Sequence, residues 1–115
     1  MSTEPAAPLP PATFFEDLLG ETPPVTRGIH SQTLEDHPDL RLVMFAFAPG
    51  EELSEHTAAR PAVVHVLDGD GEAVVGGVHH RVHAGSWFRM PPRLPHSIRA
   101  TTPLRMALYL LRASD

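Results

Sequence analysis

The chain contains no cysteine and no lysine. Without cysteine there are no disulfides and no thiolate-metal sites, so any metal must be held by histidine, carboxylate or water. All nine basic residues are arginine, which excludes Schiff-base chemistry on a lysine amine. Long apolar runs are also missing. No stretch approaches the roughly 18 residues that a membrane-spanning helix requires, and no membrane partner is expected. Met1 to Pro11 lacks a basic region followed by an apolar stretch, so the N-terminus does not read as a secretory signal and a cytoplasmic location is expected. Positive charge is scarce too. The net charge of −5 argues against general binding to nucleic acid.

What is present fits one domain. The chain has 115 residues, 42% hydrophobic and 20% charged, a balance expected of a globular protein with a modest core. Residues 1–12 are rich in proline and alanine and are expected to form a disordered or extended tail. The domain is expected to occupy residues 13–115. Thr13 to Gly20 reads as a short helix, with Thr13 and Glu16 at capping-box spacing and Gly20 as its terminator. Its Phe14/Phe15 and Leu18/Leu19 pairs would dock on the main body.

From about residue 25 the pattern is that of β-strands. Val25 to Leu34 is a weak strand and Leu40 to Ala48 a strong one, apolar on both faces. Ala62 to Asp68 follows, then a turn at Gly69-Asp70-Gly71. Glu72 to Val75 and Val78 to Val82 flank a hairpin turn at Gly76-Gly77. Trp87 to Met90, Ser97 to Thr101 and Leu104 to Leu111 complete the set. Turn signals at short intervals and no long helix predict an all-β sandwich or barrel.

Two spaced motifs carry the chemistry. The first runs from Gly50 through His56, Ala58 and Ala62 to Gly69. The second runs from Gly85 through Pro91, Arg93 and His96 to Ala100. Their frame resembles the paired motifs of the cupin superfamily. That family's first motif places H-x-H, then E, between two glycines; its second places P-x-G, then H, then N, after a glycine. The frame glycines, Pro91, His56 and His96 match. Ala58 stands at the second histidine position, Ala62 at the glutamate, Arg93 at the inner glycine and Ala100 at the asparagine.

The resemblance implies a single small jelly-roll barrel over roughly residues 40–111, with His56 and His96 converging inside it. A cupin centre uses three histidines and one glutamate, donors that suit Fe, Mn, Ni, Zn or Cu. Here His56 and His96 are the expected ligands of one divalent transition metal. His65 would be a third only if a bulge shifted its strand. The other reading makes the pair a remnant in a metal-free pocket.

Strand alternation refines the picture. With Ala62 inward, Val64 and Val66 also face in, and Val63, His65 and Leu67 face out. Phe88, Met90, Ile98 and one face of Leu104 to Leu111 join the inner surface. The expected substrate pocket is therefore Val64, Val66, Phe88, Met90, Ile98 and Tyr109, an apolar lining with few polar groups. Glu51, Glu52 and Glu55 form an acidic rim, and Arg60 and Arg93 lie in the mouth loops, where they would attract an anion. His79, His80 and His83 read as a solvated hairpin arm, and His30 and His37 as surface residues.

The expected function is binding of a small molecule in the barrel. It is accompanied either by metal-dependent chemistry of the dioxygenase or isomerase type, or by none, as in a sensor module. A homodimer is expected, with Leu40 to Phe47 and Trp87 as interface candidates.

Overall fold

A computed structural model describes residues 8–112 of the chain. One short helix, α1 (Leu18–Glu21), precedes nine strands. These are β1 (Ile29–Asp36), β2 (Leu40–Phe47), β3 (Glu52–His56), β4 (Ala62–Asp68), β5 (Asp70–Val75), β6 (Val78–His83), β7 (Trp87–Met90), β8 (His96–Ala100) and β9 (Leu104–Leu111). All pairings are antiparallel, in a five-stranded sheet ordered β1-β2-β9-β4-β7 and a four-stranded sheet ordered β3-β8-β5-β6. The two sheets form the expected jelly-roll sandwich.

Alternation places the core. On β4, Ala62, Val64 and Val66 are buried and face the opposite sheet, as do Leu104 and Met106 of β9, Met90 of β7 and Ile98 and Ala100 of β8. Phe47 and Val82 close the cluster. Of the other parity, Arg89 and Arg99 are exposed. Both faces of β2 are covered, as its composition requires. Phe45 and Phe47 join the core between the sheets. Leu42 and Met44 lie on the outer face with Ala107, Leu67 and Tyr109, beneath Phe15 and Leu18 of the N-terminal arm.

The arm differs from expectation. Helix α1 spans only four residues, and its N-cap is Asp17, whose carboxylate accepts from the Leu19 amide at 3.1 Å. Thr13 to Phe15 lie outside it. Adjacent aromatic residues favour helix weakly, and packing Phe15 on the sheet holds this stretch out of the helix. Phe14 is 84% exposed. Arg105 ties the arm down. Its Nε and Nη2 donate to Asp68 Oδ2 at 3.0 and 2.9 Å, and its Nη1 donates to the Leu19 and Thr22 carbonyls at 3.1 and 3.3 Å. The expected tail at 1–12 lies partly outside the described residues.

Several strand boundaries also differ, and one strand, β3, is additional to those expected. β1 starts at Ile29 and runs to Asp36, because a register shift between Thr33 and Glu35 lets pairing with β2 continue beyond Leu34. β5 already begins at Asp70, leaving Gly69 as the turn. β3 carries one apolar residue among Glu52-Leu53-Ser54-Glu55-His56, and so has no strand signal of its own; it forms by pairing with β8 at the edge of its sheet. The Gly76-Gly77 turn is as expected. Both residues have positive φ, as a tight two-residue hairpin requires, and Val75 pairs with Val78.

Candidate functional site

β3 and β8 bring His56 and His96 together. The two residues are register partners, with ring centroids 4.1 Å apart and planes inclined at 60°. His96 is buried at 6% exposure, whereas His56 is exposed, so the pair sits where the sandwich opens to solvent.

Each ring is held by the same device. His56 Nδ1 lies 2.8 Å from the Ser54 carbonyl, and His96 Nδ1 lies 2.8 Å from the Leu94 carbonyl. A carbonyl oxygen only accepts, so both Nδ1 atoms carry a proton, and in the neutral rings both Nε2 atoms keep a bare lone pair. Orientation of the far nitrogen by a backbone carbonyl is what metal-ligating histidines use. Burial holds the His96 pKa below its ordinary value of 6.5; the bond to Leu94 opposes this, and the neighbouring His56 adds to it. A neutral His96 is the form that can donate its lone pair. The Ser54 and Leu94 contributions come from backbone carbonyls, which no side-chain pattern announces.

The loop from Pro91 to Pro95 shapes the mouth. Arg93 stands at the family's glycine position with φ +66°, and it is the only non-glycine residue with positive φ among those described. Its amide donates to the Ala58 carbonyl at 2.7 Å. Two positions that depart from the motif, Ala58 and Arg93, are thus joined through the backbone. The Pro95 carbonyl accepts from the Gly76 amide at 2.9 Å, which fixes the far end of the loop.

The other expected site residues are placed as follows. Val64, Val66, Met90 and Ile98 face inward, each at most 2% exposed, packed against one another and against Met106 and Leu104. Phe88 packs on the same cluster and also reaches a cleft of about 280 Å³ between β6 and β7, with Val75, His80 and Trp87. Tyr109 does not join them. The inward residues of β9 are the even-numbered ones, so Tyr109 lies on the outer face with Leu42 and Met44. His65, of outward parity on β4, opposes Ala107 of that outer cluster and does not approach the pair. Among the described residues, no three of His, Asp or Glu are grouped as a metal site would require. Arg60 is engaged elsewhere, donating from Nε to the Leu111 carbonyl at 2.7 Å. His30, His37, His79, His80 and His83 are exposed, as expected. No helix is long and apolar enough to cross a membrane.

A family model for the Cupin domain matches residues 43–111. No curated protein matches the chain. Among solved structures, a conserved protein of unknown function from Streptococcus pyogenes is 24% identical with a TM-score of 0.79, over 99% of this chain and 100% of that one. A cupin 2 conserved barrel domain protein from Leptotrichia buccalis is 32% identical with a TM-score of 0.75, over 82% of this chain and 46% of that one. KdgF from Halomonas sp. is 27% identical with a TM-score of 0.68, over 76% and 83% respectively.

Proposed function

Because this chain belongs to the cupin family, we propose that it binds a small organic molecule beside His56 and His96, with one divalent transition metal held by their two Nε2 atoms. One observation carries this reading. Both rings spend Nδ1 on a carbonyl two residues earlier, at the same 2.8 Å, and so leave Nε2 free on two rings whose centroids lie 4.1 Å apart. Two imidazoles suit Zn, Fe, Mn, Ni or Cu. They leave the remaining coordination positions to water or to oxygen and nitrogen donors of the ligand. Bound there, the metal supplies Lewis acidity and open coordination positions. His96, neutral and fixed from below, sets the geometry; the exposed His56 completes it from the rim. Chemistry of the dioxygenase or isomerase type rests on that metal.

A second reading has its own support. Ala58 and Ala62 replace two donors, and the described residues supply no substitute. The same bare nitrogens then accept hydrogen bonds from a ligand, and the protein is a non-catalytic binding or sensor module. Elemental analysis of untagged protein separates the two. Near-stoichiometric metal that disappears in both His56→Ala and His96→Ala supports the metal site. Folded wild-type protein that takes up no metal on reconstitution supports the metal-free module and overturns the first reading.

Self-association belongs to the same proposal. Of the expected interface candidates, Leu40 to Phe47 is covered on both faces and lies between β1 and β9. Trp87 on β7, by contrast, and Val78 on β6 are 59% and 56% exposed on strands that form the edges of their sheets. Large exposed apolar side chains on neighbouring edges favour pairing with a second copy. Sedimentation as a monomer at micromolar concentration would remove this part.

A further inference from the structure

A roomy cleft lies away from the histidine pair. It measures about 440 Å³ and lies against the outer face of the five-stranded sheet, between the N-terminal arm and the β1–β2 hairpin. Phe15, Leu40 and Leu42 give it apolar walls, and Thr13, Glu35, His37 and Asp39 its polar groups. This volume lies within the range of small-molecule sites.

A bulge brings Glu35 into the cleft. Thr33 pairs with Val43, but Glu35, not Leu34, is the next partner, opposite Leu42. The extra residue turns the Glu35 side chain to the face that carries Leu42. The neighbouring carboxylates are already matched. Asp39 takes Arg112 Nη1 at 3.2 Å and lies 3.7 Å from His37 Nδ1, and Asp36 takes Arg41 Nε at 3.3 Å. Glu35 is half-buried and has neither an ion pair nor a side-chain hydrogen bond among the described residues. No arginine lines the cleft. A carboxylate set partly out of water against leucine, with no cation paired to it among the described residues, is short of a positive partner.

We propose that this cleft is a second binding site, separate from the histidine pair, for a small organic cation: an ammonium group on an apolar body of about one ring. The ammonium pairs with Glu35 as a charge-assisted hydrogen bond. The apolar body lies on Leu40 and Leu42, and the Phe15 ring adds a cation–π surface at the arm. The Thr13 hydroxyl offers a further acceptor.

Phenethylammonium is a suitable probe, titrated into the full chain while backbone amide resonances are followed. Phenylacetate and 2-phenylethanol serve as the anionic and neutral counterparts. Saturable shifts confined to Phe15 and to Glu35 through Leu42 are expected for the cation, with affinity at least tenfold above either counterpart. Glu35→Gln, whose spectrum reports whether it is folded, should weaken binding by roughly tenfold. Equal affinity for phenylacetate, shifts centred on β3 and β8, an unchanged affinity in folded Glu35→Gln, or no saturable shift at all would each overturn the proposal. Location of the shifts separates this site from the one at His56 and His96.

Discussion

His56 stands opposite His96 because β3 carries one extra residue. Leu53 pairs with Ile98, and two residues along β8 from Ile98 is His96. Two residues along β3 from Leu53 is Glu55, yet the partner is His56, three residues on. Regular alternation would set a carboxylate against His96 and turn His56 to the outer face. The bulge reverses this, and the two imidazoles face each other.

The lowered pKa of His96 makes stability depend on pH. The unfolded chain takes up a proton near 6.5, while burial, aided by the charge of His56, resists protonation in the folded state. Between the folded value and 6.5 the unfolded state binds more protons, so stability rises with pH. The contribution is complete above 6.5 and is lost as pH falls below it. Urea midpoints measured from pH 5 to 8 should rise more steeply in the wild type than in His96→Gln. Equal slopes would mean that His96 does not resist protonation on folding.

Gly69 should not tolerate a side chain. Its φ is +90°, and a Cβ there would lie 1.9 Å from the Pro103 carbonyl oxygen. The close approach is to backbone, which cannot rotate away, between β4 and the start of β9. Gly69→Ala should lose about 3 kcal/mol or more, or fail to fold. A melting temperature within a few degrees of wild type would contradict the packing described.

Arg93 carries the opposite expectation. A non-glycine residue at φ +66° is strained by about 1 kcal/mol, and its side chain is exposed. Arg93→Gly removes the strain but frees the unfolded chain, so a gain of at most about 1 kcal/mol is expected. Denaturant unfolding reads this directly. A loss of that size instead would show that the Arg93 side chain makes a stabilising contact.

Arg105 holds the arm with one guanidinium. Arg105→Ala leaves Asp68 and the Leu19 and Thr22 carbonyls without their donor, at a cost of about 2 kcal/mol. The loss should be local first. Hydrogen exchange of the Thr22 amide, bonded to Leu19 O at 3.2 Å, should quicken well before that of β4 or β9. Uniform acceleration across the sandwich would place Arg105 in the global fold instead.

Much of this molecule can be read from the chain alone. The spacing of Gly50, His56, Gly69, Gly85, Pro91 and His96 points to the family, and a Cupin domain match over residues 43–111 agrees. Two-residue alternation correctly turns Val64, Val66, Met90 and Ile98 inward, because a strand's faces are set by covalent geometry. Where alternation is interrupted, sequence loses its hold. The bulges beside His56 and Glu35, the β3 strand formed from a charged segment, and the outward face of Tyr109 all depend on which strand lies alongside and in what register. The arm obeys the same distinction. Thr13 and Glu16 have helix-start spacing, but Phe15 buries itself against Leu42 and Met44, and the helix begins at Leu18 under an Asp17 cap. Local residue choice determined the kind of fold and the two histidines. Pairing between distant strands, whose hydrogen bonds are blind to side-chain identity, decided how those histidines meet and where the cleft beside the N-terminal arm opens.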